Sequence, residues 1–240
     1  KVRFNAPISY YTDYSGALGR VYDMAEHKDT LYLGSNTGVF YFDGPDLKFL
    51  KGSLGHVWDL EILEGDLLCG HNTGTYQIIG EKFKKISDLS GGYEFKKIPE
   101  QNGVYIQGTY NGLSKFYKNK LGKWSVKRIN GIDFPVKQLC FENETTLWAA
   151  HPYKGLYRVQ LDHSYNNVAA IEQYSKKGGP SEYNVSIYKI KNQIVFYSEY
   201  KWYIYDPIDD RIKLFDVFQR FNGNDLLMID DGQLWFMDEK

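Results

Sequence analysis

Leu31-Tyr-Leu-Gly-Ser-Asn-Thr-Gly-Val-Phe-Tyr-Phe42 is a phrase that this chain repeats. It returns as Leu67-Leu-Cys-Gly-His-Asn-Thr-Gly-Thr-Tyr-Gln-Ile78. It returns again as Val104-Tyr-Ile-Gln-Gly-Thr-Tyr-Asn-Gly-Leu-Ser-Lys-Phe116, with one extra residue, and as Leu147-Trp-Ala-Ala-His-Pro-Tyr-Lys-Gly-Leu-Tyr-Arg-Val159. The turn glycines Gly38, Gly74, Gly112 and Gly155 stand 36, 38 and 43 residues apart. Short apolar runs and turns that repeat at a period of about 40 residues are the signature of β-propeller blades.

Each copy is preceded by a second apolar run. Val21-Tyr-Asp-Met-Ala25 begins 13 residues before Gly34, Val57-Trp-Asp-Leu-Glu61 begins 13 before Gly70, and Val136-Lys-Gln-Leu-Cys-Phe141 begins 14 before Ala150. Polar turns (His27-Lys-Asp29, Glu64-Gly-Asp66, Glu142-Asn-Glu-Thr145) join the two runs, so each pair reads as a hairpin. The Gly-x-Asn-x-Gly segment makes the next turn, because glycine and asparagine tolerate positive φ. A shorter, more polar run follows, as in Lys82-Phe-Lys-Lys-Ile86 and Trp124-Ser-Val-Lys-Arg128. The pattern predicts four antiparallel strands per repeat, named here a to d.

Two weaker copies follow. The fifth has lost its b–c glycines, at Ser198-Glu-Tyr-Lys201, and the last holds only Leu226-Leu-Met-Ile229 and Leu234-Trp-Phe-Met237. Ahead of the first copy, Val2-Arg-Phe4 and Ile8-Ser-Tyr-Tyr11 read as a c and a d strand with no a or b. The expectation is one all-β propeller domain over 1–240, with blades at about 21–51, 57–87, 93–129, 136–175 and 183–216, and 224–240 combining with 1–12. Closure of that sixth blade would remove exposed sheet edges. A piece of a larger propeller is the alternative.

Composition narrows the function. The 240 residues are 42% hydrophobic and 17% aromatic with 21 Tyr, which suits strands. The formal net charge of −1 gives no electrostatic case for nucleic acid. Neither a bilayer-spanning run nor a signal peptide is read, and the start at Lys1 points to a processed protein or an excised fragment. Cys69 and Cys140 fall in strands of different blades and read as buried free thiols.

The repeat resembles the regulator propeller repeats of large periplasmic sensor regions in Bacteroidetes regulatory proteins. Leu147-Trp148 with Gly155-Leu156-Tyr157, the Gly34–Gly38 and Gly70–Gly74 segments, and the linker Tyr174-Ser-Lys-Lys-Gly-Gly-Pro-Ser-Glu-Tyr183 carry the resemblance, which covers residues 8 to 237. In that family the repeats precede an immunoglobulin-like triple-tyrosine domain, a membrane span, and a histidine kinase or a LuxR-type helix-turn-helix output. The resemblance implies a ligand-sensing extracytoplasmic module, often for carbohydrate, working with other domains of a larger receptor.

Propeller ligands approach the face formed by d–a and b–c loops. The b–c tips differ between blades and supply the candidate ligand residues: Asn36, His71, Asn72, Tyr110, Asn111, His151, Tyr153, Lys154, Glu199, Tyr200 and Trp202. Rings beside amides suit a sugar, which presents apolar faces and hydroxyls together. Asp23 and Asp59 share one position in successive a strands, Gln138 follows suit, and all three are expected to line the channel or to bond the backbone of a neighbouring blade. Asp209-Asp210 and Asp230-Asp231 read as solvated turns. No metal-ligand spacing, nucleophile elbow, P-loop or dinucleotide fingerprint occurs, so no cofactor, no metal and no catalytic residue is assigned. Three functions remain. An aromatic-and-amide funnel marks a sensor, clustered acids mark a glycan hydrolase or lyase, and a featureless funnel marks a protein scaffold.

Overall fold

The computed structural model describes residues 11–174, 179–230 and 233–238. Five sheets follow one another along the chain, each with four antiparallel strands. The first holds β1 (Val21–His27), β2 (Thr30–Ser35), β3 (Val39–Asp43) and β4 (Asp46–Phe49). The second holds β5 (Val57–Leu63), β6 (Asp66–His71), β7 (Gly74–Ile79) and β8 (Lys82–Ser87). β9 (Phe95–Lys97), β10 (Val104–Thr109), β11 (Gly112–Lys118) and β12 (Trp124–Arg128) form the third. The fourth contains β13 (Gln138–Phe141), β14 (Thr146–His151), β15 (Gly155–Leu161) and β16 (Val168–Gln173). β17 (Ser186–Ile190), β18 (Gln193–Ser198), β19 (Lys201–Asp206) and β20 (Arg211–Leu214) make the fifth, and β21 (Asn224–Asp230) pairs with β22 (Gln233–Asp238) in a two-stranded sheet. The expected strands at Val2–Phe4 and Ile8–Tyr11 lie outside the described residues, apart from Tyr11.

The sheets are blades stacked face to face. Four core clusters each span one junction: Val39 and Leu50 meet Leu60 and Leu67, Leu68 meets Phe95 and Phe116, Ile106 and Leu113 meet Leu139 and Leu147, and Trp148 meets Phe196 and Tyr205. The b strands β2, β6, β10, β14 and β18 are covered on both faces, which is why they read as continuous apolar runs. The d strands β4, β8 and β16 are the exposed outer rims, and the a strands face the axis. Each large apolar side chain buried this way contributes about 1.5–3 kcal/mol.

The two repeat glycines do different work. Gly74 sits at φ +141°, a backbone that side chains rarely adopt, and makes the b–c turn. Gly70 permits close approach instead, since a Cβ there would stand 2.3 Å from the Gly92 carbonyl oxygen of the next blade. In the fifth sheet the b–c turn runs through Glu199 and Tyr200, at φ +48° and +64°.

One feature departs from the sequence reading and one adds to it. A 3-10 helix over Asp216–Phe221 follows the fifth sheet, and its Phe218 and Phe221 pack with Trp202 and Phe236. Asp210 is an exposed turn residue, as expected, and it also holds a link between blades. Its Oδ1 accepts the hydroxyl protons of Tyr174, at 2.6 Å, and Tyr205, at 2.8 Å, and so ties the end of the fourth sheet to the fifth.

Candidate ligand site in the channel

The a strands converge on a cavity of about 780 Å³, lined in two tiers. The upper tier is Tyr22, Trp58, Tyr93 and Lys137, and the lower tier is Asp23, Asp59, Glu94 and Gln138. The tiers are consecutive residues of successive blades, and the lower-tier residues lie beside Gly34, Gly70, Gly108 and Ala150 of the adjoining b strands. Tyr22 and Trp58 occupy β-bulges. Val21 pairs with Ser35 and Asp23 with Gly34; Val57 pairs with His71 and Asp59 with Gly70. The extra residue of a bulge is released from the ladder and re-aimed, here into the channel mouth.

Three of the four upper-tier residues belong to a continuous run of rings. His56 stacks on Trp58 at 3.6 Å, and Tyr22 lies 4.5 Å from His56. Trp58 lies 5.1 Å from Tyr93, which meets Tyr110 edge-on at 5.3 Å. Trp58 Nε1 donates to Tyr110 Oη at 3.0 Å, and the Arg20 guanidinium covers Tyr22 at 5.3 Å. Gly91 lies under Tyr110 so closely that a Cβ would fall 2.0 Å from the ring.

The lower tier clamps blade to blade. Asp23 Oδ2 accepts the Leu60 N–H at 2.6 Å, Glu94 Oε2 accepts the Leu139 N–H at 3.1 Å, and Gln138 Oε1 accepts the Ile187 N–H at 3.0 Å. Asp59 breaks the series: its Oδ2 is buried without a hydrogen-bond partner. Burial, then the charges of Asp23, Glu61 and Glu94, pushes the Asp59 carboxyl well above the ordinary range. Burial also raises Asp23 and Glu61.

Of the expected residues, Asp23, Asp59 and Gln138 line this cavity, and Tyr110 joins it through Trp58. The other tips hold turns. Asn36 Oδ1 accepts the Arg20 N–H at 2.7 Å, the Asn72 N–H donates to the His56 carbonyl, and the Asn111 carbonyl accepts Arg128 Nη2. His71 Nδ1 pairs with Thr73 Oγ1. His151 Nδ1 accepts the N–H groups of Tyr153 and Lys154, which requires a ring unprotonated there, and burial holds its pKa down. Tyr153 and Tyr200 are exposed, and Glu199 and Lys154 stay at their tips. Trp202 is a correction. It is 1% exposed, packed with Tyr197 and Phe218, and donates Nε1 to the Phe221 carbonyl, so it belongs to the core. Both cysteines are buried free thiols, and burial pushes Cys140 up to about 11.

Sequence reasoning missed Tyr22, Trp58, Tyr93, Glu94 and Lys137. The signal was present: an aromatic residue stands immediately before the acid within the first two a strands and just ahead of the third. Among the described residues no three His, Cys, Asp or Glu side chains are placed to hold a metal ion, and no helix is long and apolar enough to cross a membrane.

No protein-family model matches the chain, and no curated protein matches it in sequence. Solved structures match the fold. The extracellular domain assigned to a hybrid two component system of B. thetaiotaomicron is 13% identical with a TM-score of 0.67, over 91% of this chain and 32% of that one. An extracellular domain assigned to a one component system of the same organism is 18% identical with a TM-score of 0.59, over 90% and 30%. A catalytically inactive virginiamycin B lyase from Staphylococcus aureus, with quinupristin, is 14% identical with a TM-score of 0.56, over 85% and 72%. The chain is thus a β-propeller of the kind found in these extracellular domains, and it spans about a third of their length.

Proposed function

We propose that this chain is a ligand-sensing, extracytoplasmic domain of a bacterial signal-transduction or transcription-regulatory protein, and that its ligand is a carbohydrate received at the channel mouth. The ring tier of Tyr22, Trp58 and Tyr93, set directly above carboxyl and amide groups, carries the reading. Ring faces cover the apolar C–H surface of a sugar while the tier below serves its hydroxyls. The fold shared with extracellular domains assigned to regulators supports a periplasmic setting within a larger receptor, whose other domains are the natural partners. A ligand would act by favouring one arrangement of that receptor over another.

A thermal-shift screen against a panel of oligosaccharides tests this. A ligand that binds only the folded state raises the melting temperature with concentration. One glycan class should do so, and Trp58→Ala should abolish the rise. No shift from any sugar, with the protein folded, would turn the reading to a scaffold that works through protein contacts.

A propeller enzyme is the second reading, favoured by the acids of the lower tier. Asp23 and Glu94 already serve backbone N–H groups, which leaves Asp59 and Glu61 for proton transfer. Cleavage of a panel glycan that is lost in both Asp59→Asn and Glu61→Gln would establish it.

A further inference from the structure

Asp59 is the channel residue that blade packing does not account for. Its counterparts Asp23, Glu94 and Gln138 each hold a backbone N–H of the following blade, whereas Asp59 Oδ2 is buried and unpartnered. The charged groups acting on it are Asp23, Glu61 and Glu94 against Lys96, and Lys96 is already paired with Glu94. Lys137 stands in the tier above. Carboxyls outnumber cations here, in a site where an unpaired charge is costly. A positive charge is what the arrangement lacks.

The acids do not gather as ligands gather around a metal ion. A hard cation wants several oxygens converging at short range. A larger, softer cation does not, and the rings of Tyr22, Trp58 and Tyr93 wall the same cavity. Aromatic faces attract organic ammonium groups, more strongly as water is removed. Rings above and an unpartnered carboxyl below make a two-part receptor for such a group.

We propose that the channel takes a ligand bearing an organic ammonium group, as an amino sugar with a free amine does, and that the ammonium docks on Asp59 beneath the rings of Trp58 and Tyr93. The inference rests on the channel being the ligand site. Asp59 loses its proton to solvent as the cation arrives, so binding releases a proton.

The test is calorimetric titration of the whole chain, at a pH where the amine is charged. The probes are a chitosan oligosaccharide, the chitin oligosaccharide of equal length, a cello-oligosaccharide and tetramethylammonium. Chitosan should bind about tenfold or more tighter than its acetylated counterpart, with tetramethylammonium competing. The heat should vary with buffer ionisation enthalpy, reporting the released proton. Asp59→Asn should bring the two oligosaccharides within about twofold and abolish the buffer dependence. Glu61→Gln, which weakens the same field, should narrow the preference in part, and it serves if Asp59→Asn misfolds. Equal affinity for amine and acetamide, or a preference that survives Asp59→Asn, overturns the inference. If a neutral oligosaccharide binds and Trp58→Ala abolishes that binding, the channel site stands and the ammonium inference falls. If no probe binds, both fall.

Discussion

The first three blades and the next two share one backbone plan but show the axis different side chains. Along the channel, the first three present Tyr22-Asp23, Trp58-Asp59 and Tyr93-Glu94, while the fourth presents Lys137-Gln138. The fifth shows the axis Tyr188, and both the fourth and the fifth bury a tryptophan between sheets. Trp148 is fully buried against Tyr174, Phe196 and Tyr205, and Trp202 against Tyr197 and Phe218. The difference teaches that a repeat can keep strand, turn and junction while exchanging what it shows the axis. A tryptophan near the channel and a tryptophan in a junction do unrelated work.

The sharpest way to break that comparison is to truncate the junction ring. Trp148→Ala should cost about 3–5 kcal/mol, read as a lower urea midpoint at unchanged slope. A loss below about 1 kcal/mol would mean that the junction is not packed as described. Next come the clamps. Asp23→Ala strands the Leu60 N–H and Gln138→Ala the Ile187 N–H, each at about 1–3 kcal/mol.

Asp59 should behave oppositely. Its folded pKa lies above the unfolded value, so the unfolded chain binds fewer protons once pH passes the ordinary aspartate value of 3.8, and stability falls as pH rises. Asp59→Asn removes that penalty. The variant should be the more stable one at neutral pH, and the two chains should converge as pH falls below about 4. Urea titrations across that range check the sign; a variant less stable at neutral pH would show that Asp59 has a partner. The smallest effect belongs to Trp58→Phe, which keeps a ring in the channel and gives up the bond to Tyr110. It should cost about 0.5–1.5 kcal/mol.

Most of the fold could be read from the chain because each b strand is apolar on both faces and four of the five b–c turns are marked by glycine. The 3-10 helix at Asp216–Phe221 could not, since its two phenylalanines are placed by contact with Trp202 and Phe236, which are distant in sequence. Asp210 is exposed in its turn as its position suggests, but the two tyrosine hydroxyls that it accepts come from neighbouring blades and could not be read from the chain. The channel was half legible. Asp23, Asp59 and Gln138 follow from position alone, but a bulge decides where Tyr22 and Trp58 point, and a bulge leaves little trace in composition. Trp202 misled because its turn has no glycine and so resembles a specialised tip, while burial sends the ring inward.

The bulges carry one more consequence. Because the ladder skips Tyr22 and Trp58, the identity of those two side chains is uncoupled from strand registration. Selection can therefore rewrite the mouth of the channel without renegotiating how the sheet is built. A library randomised at these two positions should yield mostly folded proteins with divergent ligand preferences, which makes this propeller a natural chassis for new recognition.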